Sequence, residues 1–209
     1  MFRALLLPFR TASLLLVGLI AALLALSLDA TTRLTPFGVL VPAYLLFSWF
    51  NKYAFALLDR AAHGAVEPPV ASLEMLGPWG DWRALVHPPL IACVGVASWA
   101  VGGLPPALPA LLLLFLPASI GVLAMTHELR ATIWPPVLWH TIRGLGPHYL
   151  LLAGMVGVGV FAGLLWRLGL PSLLFWFAVE LLALSFYAAI GGAIHARRLE
   201  LGFEPERSP

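Results

Sequence analysis

From residue 171 to residue 195 the sequence carries one carboxylate, Glu180, and no Lys or Arg, in a stretch otherwise dominated by Leu, Phe, Ala and Ile. A helix of about 20 apolar residues, rising about 1.5 Å per residue, is long enough to cross the hydrocarbon core of a bilayer. Five other segments meet or approach that length: 11 to 30, 36 to 58, 86 to 104, 106 to 127 and 148 to 167. Repetition of this pattern is what most constrains the fold, because a chain of 209 residues has too little interior to hide so many Leu, Val, Phe and Trp side chains from water.

Composition agrees. Hydrophobic residues make up 61% and charged residues 11%, against about 45 to 50% and about 25% in soluble domains, so an ordinary soluble domain is excluded. The expected fold is an all-α membrane protein of about six transmembrane helices forming a single polytopic domain over residues 1–209. The first segment follows Arg3 and Arg10 and lacks a good small-x-small cleavage pattern, so it reads as an uncleaved span.

Cations resist translocation and remain at the cytoplasmic side. With the N-terminus inside, Arg3, Arg10, Lys52, Arg60, Arg83, Arg130, Arg143, Arg197, Arg198 and Arg207 fall at cytoplasmic ends, and Arg33 and Arg167 fall outside. This sorting predicts both termini in the cytoplasm and a bacterial inner-membrane location. The exported loops are short, so polar residues concentrate in two cytoplasmic connections, 60–86 and 128–147, and in the tail 199–209. Both connections mix Trp79, Trp82, Trp134 and Trp139 with Arg83, Arg143 and His140, a combination that settles at headgroup level as an interfacial segment. In the second, Trp134, Leu138 and Ile142 are spaced to form one apolar stripe, and Pro135 and Pro136 suit the first turn of a helix.

The net charge of +2 gives no basic patch of the kind that tracks phosphate backbones, which argues against nucleic-acid binding. Cys93 is the only cysteine and can form no intramolecular disulfide. The six histidines, His63, His87, His127, His140, His148 and His195, all fall near the cytoplasmic face, yet none stands in an HxxxH or HExxH spacing, and no cofactor or metal is expected. Ser119 in "PASIG" lacks the glycine of a nucleophile elbow, Asp29, Asp59 and Asp81 lie far apart in sequence, and no GxxxxGK[ST] loop is present. These absences point away from an enzyme and name no catalytic residue.

Pro42 and Pro117 fall inside apolar segments, where each removes a backbone hydrogen bond and favours a kink. Gly159 and Gly163 form a small-xxx-small pair, and Gly191, Gly192 and Ala193 follow in the last segment, as suits close packing of spans or a contact between two copies of the chain. The ends of the second and sixth segments echo one another, with Tyr53 set against Tyr187, as in a parallel repeat.

The stretches "YAFALLDRAAHGAVEPP", "LPASIGVLA" and "WPPVLWHTIRGLGPHYLLL" together resemble uncharacterised bacterial multi-pass inner-membrane proteins and are broadly similar to Yip-type helical membrane domains. That resemblance implies a helical inner-membrane domain and transfers no catalytic residue. Two functions from different classes follow. One is a non-enzymatic scaffold or accessory subunit that binds a partner protein or lipid at its cytoplasmic face. The other is a small transporter or channel subunit that uses Glu180 within the membrane.

Glu180 lies nine residues from Pro171, about 13 Å deep at about 1.5 Å per residue. An ionised carboxylate without a partner is strongly disfavoured there, so Glu180 is expected to face the bundle interior. Tyr44 and Ser48 are the candidate hydrogen-bond partners, and Lys52, sixteen residues from Pro36, is a more distant one. A packing role and a proton or ligand role both remain open for this cluster.

Overall fold

The computed structural model describes residues 3–29, 36–70, 80–86, 107–165 and 171–202. All regular structure among these residues is helical: α1 (Thr11–Asp29), α2 (Pro36–Ala62), α3 (Ala107–Thr126), α4 (Pro135–Leu145), α5 (Pro147–Leu165) and α6 (Ser172–Ala196), with 3-10 turns at Ala4–Phe9 and Ala131–Ile133. A short helical turn covers residues 82–86. Five of the six apolar segments are therefore helices; the third, with Cys93 and His87, lies outside the described residues, as do Trp79, Arg33, Arg167 and Arg207.

Helix ends follow local chemistry. α4 starts at Pro135 as expected, after Trp134 in an extended conformation, because proline at the first helical position forfeits an N–H that would have had no partner. It stops at Gly146, whose positive φ of 56° ends the winding before Pro147 begins α5. α2 closes with the Ala65 N–H donating to the Arg60 carbonyl and the Gly64 N–H to Ala61, a Schellman motif that requires the φ of +78° that Gly64 adopts. α2 and α3 continue through Pro42 and Pro117.

Helix α6 is the axis of the bundle and packs against α1, α2, α3, α5 and the Ala4–Phe9 turn. Every residue from Leu184 to Ile194 is buried. Its small residues make this possible, since a Cβ on Gly191 would lie 2.3 Å from the Leu58 carbonyl oxygen and 2.7 Å from the Ala61 Cβ. α2 and α6 run parallel: Phe47 meets Trp176 edge to face at 5.9 Å, Gly191 meets Leu58, and His195 bonds the Ala62 carbonyl at 3.1 Å. α1 runs antiparallel to them, with Ser13 bonded to Tyr53 at 2.9 Å and Gly18 lying beside Phe177.

One end of the bundle gathers the C-terminal ends of α2, α3 and α6. Gly121 of α3 packs against Ile190 and Ile194, Gly144 of α4 against Leu201, and Ser13 donates to the carbonyl of Leu7 in the first 3-10 turn. The apolar stripe of α4 differs from the expected one. Leu138, Thr141 and Leu145 point inward and Ile142 is partly covered, whereas Trp134 is 60% exposed. Trp134 precedes the helix and so escapes its 3.6-residue period, and Thr141 can be buried because its hydroxyl donates to the Val137 carbonyl.

Large apolar side chains also face outward. Leu15, Leu19, Leu23 and Leu26 form one exposed stripe along α1, and Val41, Leu45, Leu150, Leu151, Leu173 and Leu174 are exposed on other helices. Ser172–Ala196 is long and apolar enough to cross a membrane; among the described residues no other helix meets both measures.

Candidate functional site

Two polar clusters lie along the α2–α6 seam. The first is Glu180, buried to 3% exposure, with neither carboxylate oxygen hydrogen-bonded among the described residues. Trp176, Glu180, Tyr187 and Gly191 recur at spacings that keep them on one face of α6, and the three flanking positions all touch α2. Glu180 thus sits on the seam, at the level of the turn of α2 that holds Phe47, Ser48 and Asn51. Among the described residues the buried Ser48 hydroxyl has no partner, and the indole N–H groups of Trp176 and Trp49 are likewise buried and unbonded.

Nearby polar groups are committed elsewhere. Asn51 donates its amide to the Phe47 carbonyl at 2.7 Å, and its side-chain oxygen accepts from the Tyr187 hydroxyl at 3.1 Å. The expected hydrogen bond between Tyr44 and Glu180 is not formed: Tyr44 is 38% exposed and donates to the carbonyl of Leu85 at 2.9 Å. Lys52 directs its ammonium toward the 80–86 segment, where Nζ would be 3.0 Å from a Cβ on Gly80. Of the four residues expected to cluster, Glu180 and Ser48 are buried, whereas Tyr44 turns to Leu85 and Lys52 toward Gly80, and among the described residues none of the three is hydrogen-bonded to Glu180. The expected hydrogen bond between Ser48 and Glu180 is likewise not formed, and the depth match with Glu180 did not hold Tyr44, which turns to the Leu85 carbonyl.

The second cluster joins residues that are distant in sequence. Asp81 caps the 82–86 turn, accepting the Arg83 backbone N–H at 3.0 Å, and the same carboxylate takes Arg83 Nε and Nη2 at 2.8 to 3.1 Å. Arg83 Nη2 also reaches Asp59 of α2 at 3.1 Å, and the guanidinium lies over the Phe55 ring at 4.9 Å. Phe55 in turn meets Tyr187 edge to face at 5.3 Å, so stacked rings link this cluster to the seam. Two carboxylates around one guanidinium leave a net charge of −1 when all are ionised.

Burial pushes the Asp59 carboxyl above its ordinary value, and the pull of Arg83 only partly offsets it. For Arg83, burial opposes the charge, but Asp81 and Asp59 outweigh it and hold the guanidinium above its usual value. The scattering of Asp59 and Asp81 in sequence concealed this grouping. The available signal was the "DWR" triplet at 81–83, an acidic cap two residues before an arginine. Among the described residues no three His, Cys, Asp or Glu side chains converge as a metal site would require.

The described geometry defines a helical bundle with a central apolar helix, an unpartnered carboxylate in its seam and an ion-paired cluster near its end. No protein-family model, curated protein or solved structure matches the chain.

Proposed function

We propose that the chain is a six-span membrane protein with both termini in the cytoplasm, serving as a non-enzymatic scaffold or accessory subunit that binds a partner protein or lipid at that face. Support for the threading comes from helices at five of the six apolar segments and from the outward leucines of α1. The first 3-10 turn and residues 197–202 lie at the same end of the bundle, as two cytoplasmic termini require. The reading also agrees with the resemblance to Yip-type domains.

One observation carries the binding role. α4 is anchored by Leu138 and Leu145, yet it and the preceding turn leave Ile133, Trp134 and Trp139 exposed, with Arg143 stacked over Trp139 at 5.0 Å. Exposed rings beside cations suit a headgroup layer or a protein surface. The test is purification in mild detergent of the wild type and of a Trp134→Ala, Trp139→Ala double variant, followed by identification of bound proteins and lipids. A stoichiometric partner or lipid lost from the variant supports the proposal. Identical material on both proteins, or none on either, overturns it.

A second reading, a small transporter or channel subunit, is favoured by the buried, unbonded carboxylate of Glu180. Solute uptake into vesicles that Glu180→Gln abolishes would replace the first reading with this one.

A further inference from the structure

Glu180 is at odds with a purely structural role. A buried carboxylate that only fixes packing collects donors, because an unpaired one costs several kcal/mol. Among the described residues both oxygens lack any donor, and the buried hydroxyl of Ser48 on α2 lacks any partner. The two polar side chains next along the seam, Asn51 and Tyr187, are bonded to each other. Of the described cations, Lys52 directs its ammonium toward Gly80 and Arg83 is held by Asp81 and Asp59. Among the described residues the seam therefore holds an acceptor with no counter-charge.

The surroundings decide what could supply one. A bare metal cation takes about six oxygen ligands, and this turn offers only two carboxylate oxygens and one hydroxyl. What it offers instead is aromatic surface. Trp176 lies one turn before Glu180 on the same face, in edge-to-face contact with Phe47 at 5.9 Å and with Phe175 at 5.4 Å. A carboxylate backed by aromatic faces recognises a cation that brings its own apolar bulk. Access follows from the unequal covering of α6: residues 172–179 are exposed or half-buried, while 184–194 are buried, and Glu180 sits at the boundary.

We propose that the α2–α6 seam is a binding site for a lipophilic organic cation, with Glu180 as counter-charge, Trp176 and Phe47 as the aromatic wall and Ser48 as a polar contact. The site deepens the transporter reading by naming a ligand class, and it rests on that reading only for its occupant being carried onward. Binding and movement are measured separately.

The experiment is isothermal calorimetry on the full chain in detergent with tetraphenylphosphonium, and with tetraphenylborate as a probe of the same shape and opposite charge. The expected result is saturable binding of the cation and not of the anion. Glu180→Gln should weaken it at least tenfold, Glu180→Asp should retain most of it, and Trp176→Ala should weaken it with the carboxylate intact. A thermal midpoint for Glu180→Gln no lower than that of the wild type establishes that the variant is folded. No saturable cation binding, equal binding of tetraphenylborate, or unchanged affinity in Glu180→Gln overturns the site. Binding in detergent without uptake into vesicles upholds the site and removes the transport reading.

Discussion

Gly191 of α6 lies against the Leu58 carbonyl of α2 so closely that a Cβ would sit 2.3 Å from that oxygen. The obstruction is backbone on one side and the Ala61 Cβ at 2.7 Å on the other, so no side-chain rotation can relieve it. Gly191→Ala should therefore separate the helices and destabilise the fold by about 1–3 kcal/mol, the usual range for overpacking. Gly157→Ala, where nothing lies within 4 Å, should be neutral or gain up to about 1 kcal/mol from helix propensity. Thermal midpoints of the two variants in the same detergent check this; equal effects would be the wrong result.

Arg83 is 6% exposed and ties Asp81, 17% exposed, to Asp59. Arg83→Ala should cost about 3 kcal/mol, the low end for removing one partner of a buried pair, because the Asp59 side chain is 37% exposed and can hydrate. Arg83→Lys should recover only part of this, since an ammonium cannot reproduce the Nε and Nη2 fork on Asp81. Denaturation of the three proteins side by side decides the order.

Tyr187→Phe removes the hydroxyl that donates to Asn51 Oδ1 and leaves a buried acceptor short of a donor. The expected loss is about 1–2 kcal/mol. Preserved edge-to-face contact with Phe55 should keep the helix pairing intact, so the midpoint falls without loss of helical circular dichroism.

The raised pKa of Asp59 carries a definite sign. The folded protein holds this proton more tightly than the unfolded chain, so the folded state binds more protons in the window just above the ordinary carboxylate value. The contribution of Asp59 to stability then declines as pH rises through that window and is level above it. Asp59→Asn lacks this dependence. Across an acid-to-neutral series, the wild-type midpoint minus that of Asp59→Asn should fall with rising pH; a rise would contradict the assignment.

Much of the helical layout was legible because its causes are local. Apolar runs of about 20 residues and Pro135 at a helix start are each written within a few consecutive residues. The burial of Glu180 was legible too, since a lone acid in an apolar helix has no tolerable position but the interior. Its surroundings were not. Counting depth put Tyr44, eight residues from Pro36, level with Glu180, nine from Pro171, but could not reveal that Tyr44 turns to the Leu85 carbonyl and Lys52 toward Gly80. Periodicity misplaced Trp134 by treating a capping residue as part of the helix it precedes.

By itself the sequence determined that the chain is helical, where five described helices run and that Glu180 is buried, because hydropathy and capping act between near neighbours. Only the tertiary structure decided that α2 and α6 run side by side with Gly191 against Leu58, that Asp59 and Asp81 share Arg83, and that Glu180 lacks a partner among the described residues. Those outcomes depend on which helix faces meet, and the fit of small against large side chains across tens to more than a hundred residues of chain sets that choice.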